Sequence, residues 1–408
     1  MREEWDTLFM GKVLRNRDFF MLWLGQTVSS AGGWINYVGL NVLLYQISGS
    51  GKLLGAFFVA RLVPALFFGP IGGYLADRYD KRKLMIICDL TRALSVLVFI
   101  FIRDPYVFFI IGFFLSVFDK IYSSASGAIL PDLVSKEELL EANSLNRISQ
   151  SLTTVLGPAI GGFLIGVWSY KAVFIADSMT FFFSVATLIL IKYIYEAKDP
   201  ALIKKRGGFV FEIKEAYQFM AISSALLSIA FIRFFDGFAS GAFNTIFPVF
   251  SAKVPVIWGT FYGWLLSFYG IGTLAGSSLT GKMRAKFGTN GLYCVSTIIM
   301  AIGLGSAFLF KDPVISLICI TIGGFGEGIS SVIFSTVIME TTPKEILGKI
   351  FGTLNSLVWV LCGLGMMTAG FCLDYVQYGI ITSTASILII VCTLFFWARL
   401  ALQKKQKD

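Results

Sequence analysis

Histidine is absent from this chain of 408 residues, charge is scarce, and cysteine occurs only six times. Without histidine, a proton carrier has to be a carboxylate or, failing that, a lysine or a tyrosine. The cysteines (Cys88, Cys294, Cys319, Cys362, Cys372 and Cys392) fall inside or at the ends of apolar runs and form no CxxC pair. That placement argues against a disulfide framework and against a metal site. A membrane-embedded enzyme would normally show a catalytic His or Cys, a metal cluster or an aspartate-rich loop, and the sequence shows none of these. Nothing in it calls for a cofactor. Charged residues make up 14% of the chain and hydrophobic ones 56%, and Phe occurs 40 times, so a water-soluble globule would expose far too much apolar surface.

The chain is therefore expected to be an all-α membrane protein. Twelve apolar runs recur between short polar breaks. Each is about 20 residues long, enough to cross a hydrocarbon core roughly 30 Å thick as a helix. The net charge of +9 could suggest nucleic acid, but the basic residues lie between the apolar runs and form no patch interleaved with exposed aromatics. Topology accounts for them better. Lys52, Arg103, Lys171, Lys253 and Lys311 fall on one side, and most of the remaining Lys and Arg on the other. The positive-inside bias then puts both termini in the cytoplasm of a multi-pass protein of the cell membrane.

The densest basic stretch runs Gly73, Tyr74, Leu75, Ala76, Asp77, Arg78, Tyr79, Asp80, Lys81, Arg82, Lys83, between the second run (53–76) and the third (84–102). The longest polar stretch, 196–215, reads as a cytoplasmic linker between a six-span half at 1–195 and another at 216–408. A shift of 208 residues brings Gly73 onto Gly281, Arg103-Asp104-Pro105 onto Lys311-Asp312-Pro313 and Lys136-Glu137 onto Lys344-Glu345. An even number of spans in each half makes this a parallel repeat, with a substrate site expected between the halves near midplane.

The loop residues Gly73, Asp77, Arg78, Lys81 and Arg82 resemble the helix 2 to helix 3 signature of the major facilitator superfamily of secondary transporters. The match departs at Asp80, where many members have glycine, and in this it is similar to the branch containing macrolide-efflux proteins and the enterobactin exporter. In the second half Ala285 stands where Asp77 would fall. The resemblance implies twelve transmembrane helices in two bundles and a loop that latches one conformation through charge pairs and a helix dipole. Gly157, Pro158, Gly161 and Gly162 are similar to the fifth-helix motif of antiporters, and they equally suit close helix packing.

Each charge at a helix centre costs about 2.5 to 3.5 kcal/mol, so those inside the runs need a reason. Asp119, Asp236 and Glu327 are the candidates for proton coupling, with Asp177 nearer an outer third. Arg233 and Asp236, three apart, can simply satisfy each other, and Asp89 and Arg92 can do the same or bind the nearby basic loop. Asp119 and Lys120 are adjacent and point about 100° apart, so each needs a partner elsewhere, Arg61 being one for Asp119. Glu327 sits in Gly323-Gly324-Phe325-Gly326-Glu327-Gly328, whose small residues leave room for a substrate or serve tight packing. Gln26, Asn36, Tyr37, Arg61, Lys120, Tyr122, Arg233, Asn244, Asn355 and Trp359 are candidates to line a cavity for an amphipathic small molecule.

The expected activity is export of a macrolide-like or siderophore-like compound by proton antiport with alternating access, carried out by a monomer. A lysophospholipid flippase or a nutrient carrier of the same fold is the alternative. The expected partners are a small-molecule substrate, protons and the lipid bilayer, without nucleic acid.

Overall fold

The computed structural model describes residues 13–192, 224–254, 256 and 258–405. The expected linker at 196–215 and the residues before Val13 lie outside that set. Among the described residues there are twelve long α-helices and no strand. They are α1 (Arg17–Ser48), α2 (Gly51–Arg78), α3 (Lys81–Val98), α4 (Pro105–Leu133), α5 (Leu139–Val167) and α6 (Tyr170–Ile189), then α7 (Ser224–Ser251), α8 (Trp258–Phe287), α9 (Thr289–Ala307), α10 (Pro313–Thr341), α11 (Lys344–Cys372) and α12 (Tyr378–Lys405).

The repeat holds to the residue where the chain chemistry is strongest. Asp104 caps α4, its carboxylate accepting from the Tyr106 N–H at 2.9 Å, and Asp312 caps α10 through the N–H groups of Val314 and Ile315, both at 2.9 Å. Pro105 and Pro313 follow at the first helical position, where a missing N–H costs nothing. α4 and α10 are both 29 residues long and begin and end 208 residues apart. The loop position at which the first half departs from the family pattern also has a local explanation. Asp80 is the N-cap of α3 and accepts from the Lys83 N–H at 3.1 Å. Its counterpart Gly288 caps α9 with φ at +73°, a left-handed conformation that favours glycine.

Eight of the helices are long and apolar enough to cross a membrane on length and composition alone. Of the others, α1 carries amides and hydroxyls, α3 five charged side chains (Lys81, Arg82, Lys83, Asp89 and Arg92), α7 Arg233 and Asp236, and α8 many Gly, Ser and Thr with a basic end. Expectation and structure differ at several ends. The third run, expected at 84–102, is helical over Lys81–Val98, and part of the polar segment at 135–143 is already the first turn of α5.

The chain forms two compact units, residues 1–48 with 60–203 and residues 49–59 with 204–408. In the first, α1 packs on α5 and α6, and α3 on α4 and α6, around Phe19, Leu22, Met85, Ile121, Ala125 and Leu145. In the second, α10 packs on α8 and α9, and α7 on α11 and α12, around Ile232, Leu292, Ile329, Ile333, Ile350 and Leu354. The start of α2 joins the second unit because Gly51 and Gly55 lie against Gly370 of α11, with no room for a side chain between them. Large apolar side chains such as Phe67, Phe101, Met179, Ile318 and Phe395 stay exposed, as suits helices facing lipid.

Candidate functional site

Each unit contains one arginine bound to two carboxylates. In the second unit, Arg233 on α7 donates from Nη1 to Glu327 Oε2 at 3.1 Å and from Nη2 to Oε1 at 3.0 Å, a two-bond grip on the carboxylate of α10. The same Nη1 donates to Asp236 one turn along α7, and the Ser240 hydroxyl donates to the other Asp236 oxygen at 3.3 Å. The Arg233 guanidinium also lies 5.5 Å from the centre of the Phe334 ring. Asp236 is almost fully buried, while the Glu327 side chain keeps 15% of its surface accessible. Two carboxylates against one guanidinium leave one negative charge in excess, which a single proton would cancel.

The glycine run around Glu327 is committed to helix contact. Gly324 and Gly328 meet the backbone of Tyr269 and Thr273 on α8, while Gly323 and Gly326 meet α9 at Leu304 and Met300. Of the two uses open to it from sequence, the structure shows the packing one. Glu327 is left on the remaining face, towards α7.

In the first unit Arg92 on α3 takes the same part. It donates to Asp89 on its own helix and to Asp119 Oδ1 on α4 at 3.2 Å. The Asp119 bond thus goes to Arg92, which stacks 4.4 Å from the Tyr122 ring centre and 4.6 Å from that of Phe181. Asp89 is fully buried, whereas the Asp119 side chain is 58% exposed. Sequence alone has Asp89 and Arg92 neutralise each other or bind the nearby basic loop, and the structure adds Asp119 as a partner of Arg92. The signal for the larger cluster was present, since Glu327 lies 208 residues after Asp119.

The other candidates take varied places. Asp177 is fully buried on α6 and accepts from Asn36 of α1, so that amide is already engaged. Gln26 donates to the Ser126 hydroxyl at 2.5 Å, and the Asn244 amide donates to the Ser240 carbonyl of its own helix at 2.9 Å. Tyr37 is half-buried edge-on to Trp34, and Arg61 and Lys120 are half-buried on α2 and α4. Asn355 and Trp359 are exposed on α11.

Of the loop residues, Asp77 and Arg78 are exposed, Arg78 donating to the Tyr74 hydroxyl at 2.5 Å. Lys81 is buried against Asp132, and Arg82 donates to the Ile191 carbonyl at 2.6 Å. Gly73 has open space where a Cβ would stand. In the fifth-helix motif, Gly157 and Gly161 face α1, where a Cβ on Gly161 would fall 2.9 Å from the Ile35 carbonyl oxygen. Pro158 and Gly162 lie buried beside them.

A repeated six-helix unit of apolar helices with ion pairs inside each copy suits a membrane transporter, and comparison with known proteins agrees. The profile of the transmembrane secretion effector family matches residues 12–406. The chain belongs to that family, within the major facilitator superfamily. It is 23% identical over 400 residues to macrolide efflux protein A of Streptococcus pyogenes, covering 92% of this chain and 95% of that protein. The enterobactin exporter EntS of Salmonella typhimurium is 23% identical over 298 residues, covering 71% and 69%. Among solved structures, the nucleoside transporter NupG superposes with a TM-score of 0.77 at 12% identity, covering 93% of this chain and 98% of that one, a likeness of fold.

Proposed function

We propose that the chain exports an amphipathic small molecule, macrolide-like or siderophore-like, from the cell by proton antiport with alternating access. It works as a monomer of the cell membrane with both termini in the cytoplasm. The observation that carries this reading is the Arg233, Asp236 and Glu327 cluster, which holds one carboxylate more than its guanidinium neutralises. A charge surplus inside an apolar unit is costly unless it is used. A proton taken up from outside by Glu327, the more accessible carboxylate, cancels the surplus and weakens its hold on Arg233. That change biases one conformation over the other, which is what coupling requires.

The energy suffices: a hundredfold substrate gradient costs about 2.7 kcal/mol, and one charge crossing 100 mV yields about 2.3 kcal/mol. The direction and the substrate class are supported by the relatives named for macrolide efflux and enterobactin export. In this reading Gly73, Asp77, Arg78, Lys81 and Arg82 latch one state, and Gly157, Pro158, Gly161 and Gly162 let α5 move closely on α1. Inside-out vesicles with an imposed pH gradient, read by a quenched acridine dye, test the proposal. Macrolides or siderophores should release the quench in the parent and fail to do so in Glu327→Gln. Binding of a panel member without any release would overturn antiport and favour a flippase or uniporter.

A further inference from the structure

The cluster of the first unit has a feature that its counterpart lacks. Asp89 Oδ2, the Tyr122 hydroxyl and the Ser184 hydroxyl are all buried without a hydrogen-bond partner, on α3, α4 and α6. Arg92 gathers them, since it binds Asp89, stacks on the Tyr122 ring, and stacks on Phe181, one turn before Ser184 on α6. Unpaired buried oxygens are costly, so three gathered around one guanidinium ask for an explanation. Hydroxyls donate and accept alike, so such a trio can accommodate either protonation state of Asp89 by turning its own protons. By turning, the Ser184 hydroxyl can donate to an ionised Asp89 or accept from a protonated one.

The accessibility of the two carboxylates is graded as in the second unit. Asp119 on α4, the exposed one, and Asp89, the buried one, share Arg92, just as Glu327 on α10 and Asp236 share Arg233. Cys88 on α3 lies beside Arg92 and Asp89, and Asp177 on α6, itself near Arg61 of α2, lies within electrostatic reach of Arg92. With Arg61 and Asp177 included, three carboxylates face two guanidiniums, so the surplus is again one negative charge.

We propose that Asp89 is a second proton-binding site of this transporter, reached through Asp119 and relayed by Ser184 and Tyr122. It rests on the reading of the chain as a proton-coupled exporter and adds one proton per cycle, held in the first unit. On uptake the proton enters from water at Asp119 and passes to Asp89 Oδ2, and the cluster goes from one negative charge to none. Arg92 then keeps Asp119 as its single ionised partner. On release the proton leaves by the same oxygen, so no bond other than O–H forms or breaks.

The test uses the full-length chain in detergent, with the second cluster neutralised by Asp236→Asn and Glu327→Gln and the other buried carboxyl of the first unit removed by Asp177→Asn. Infrared difference spectra across a pH titration should still show the C=O band of a protonated buried carboxyl. Adding Asp89→Asn should abolish that band, and adding Ser184→Ala should shift it. A band that survives Asp89→Asn, or a background without any band, overturns the proposal. Should Asp89→Asn not fold, a band unmoved by Ser184→Ala would overturn it equally. In proteoliposomes of otherwise unaltered protein, Asp89→Asn should halve the ratio of protons to substrate, and an unchanged ratio would refute the assignment. The infrared band does not depend on transport. An intact band in a protein whose transport ignores the pH gradient would therefore support the site while removing the antiport reading.

Discussion

Arg233 is the residue whose loss should hurt most, because it answers two carboxylates inside the second unit. Arg233→Ala leaves Asp236 and Glu327 facing each other without a counter-charge, and breaking a buried ion pair in this way costs about 3 to 5 kcal/mol. Glu327→Gln is milder. The amide keeps the shape and one acceptor, and the loss is one charge-assisted bond of about 1.5 to 3 kcal/mol, offset in part because the surplus charge goes with it. The triple variant Arg233→Met, Asp236→Asn, Glu327→Gln removes every charge and should recover much of what Arg233→Ala loses. The assay is the fraction of full-length protein that stays monodisperse after a heating step in one detergent, since unfolding of a protein of this kind is a rate measurement. The expected order of heat resistance is parent, Glu327→Gln, the triple variant, then Arg233→Ala. Equal resistance of Arg233→Ala and Glu327→Gln would refute the claim that these three side chains form one buried charge cluster.

Asp80→Ala should destabilise α3 by about 0.5 to 2 kcal/mol through loss of the cap, and Asp80→Gly by only a few tenths, measured as shifts in the same heating assay. Gly161→Ala should cost about 1 to 3 kcal/mol, since its Cβ would press on Ile35, and it should lower the yield of folded protein. Gly73→Ala has open space and should leave stability unchanged or raise it by up to about 1 kcal/mol. A fall in turnover in that variant, with stability intact, is the expected sign that the loop works in the transport cycle, and unchanged turnover would count against a latch. Lys81→Met breaks the pair with Asp132 and should slow transport more than the equivalent change at the exposed Lys83, compared by initial export rates.

Hydropathy and loop charge were enough to find the helices, because lipid demands long apolar runs and punishes irregular backbone. Asp104-Pro105 and Asp312-Pro313 stand out in sequence only as matching loop positions of the repeat; the structure shows each acid capping a helix with proline at its first position. Partners across helices were harder. The Asp119 to Arg92 bond joins residues 27 apart on different helices, whereas a reading by spacing reaches only the next turn; it ties Arg92 to Asp89 and leaves Asp119 to look to Arg61. The internal repeat was the one sequence signal that could have helped, by matching Asp119 with Glu327. The arginines themselves do not follow it, one being supplied by α3 and the other by α7. Asn36 donates to Asp177 and the Tyr122 ring stacks on Arg92, contacts between helices that spacing along the chain does not reveal.

The most direct test of proton-driven export through the second cluster is substrate efflux from proteoliposomes under an imposed pH gradient, comparing the parent with Glu327→Gln. Proton antiport predicts uphill movement of a macrolide or siderophore in the parent. In the variant it predicts only downhill exchange, with substrate binding retained. Uphill movement in Glu327→Gln at the parent's rate would contradict it.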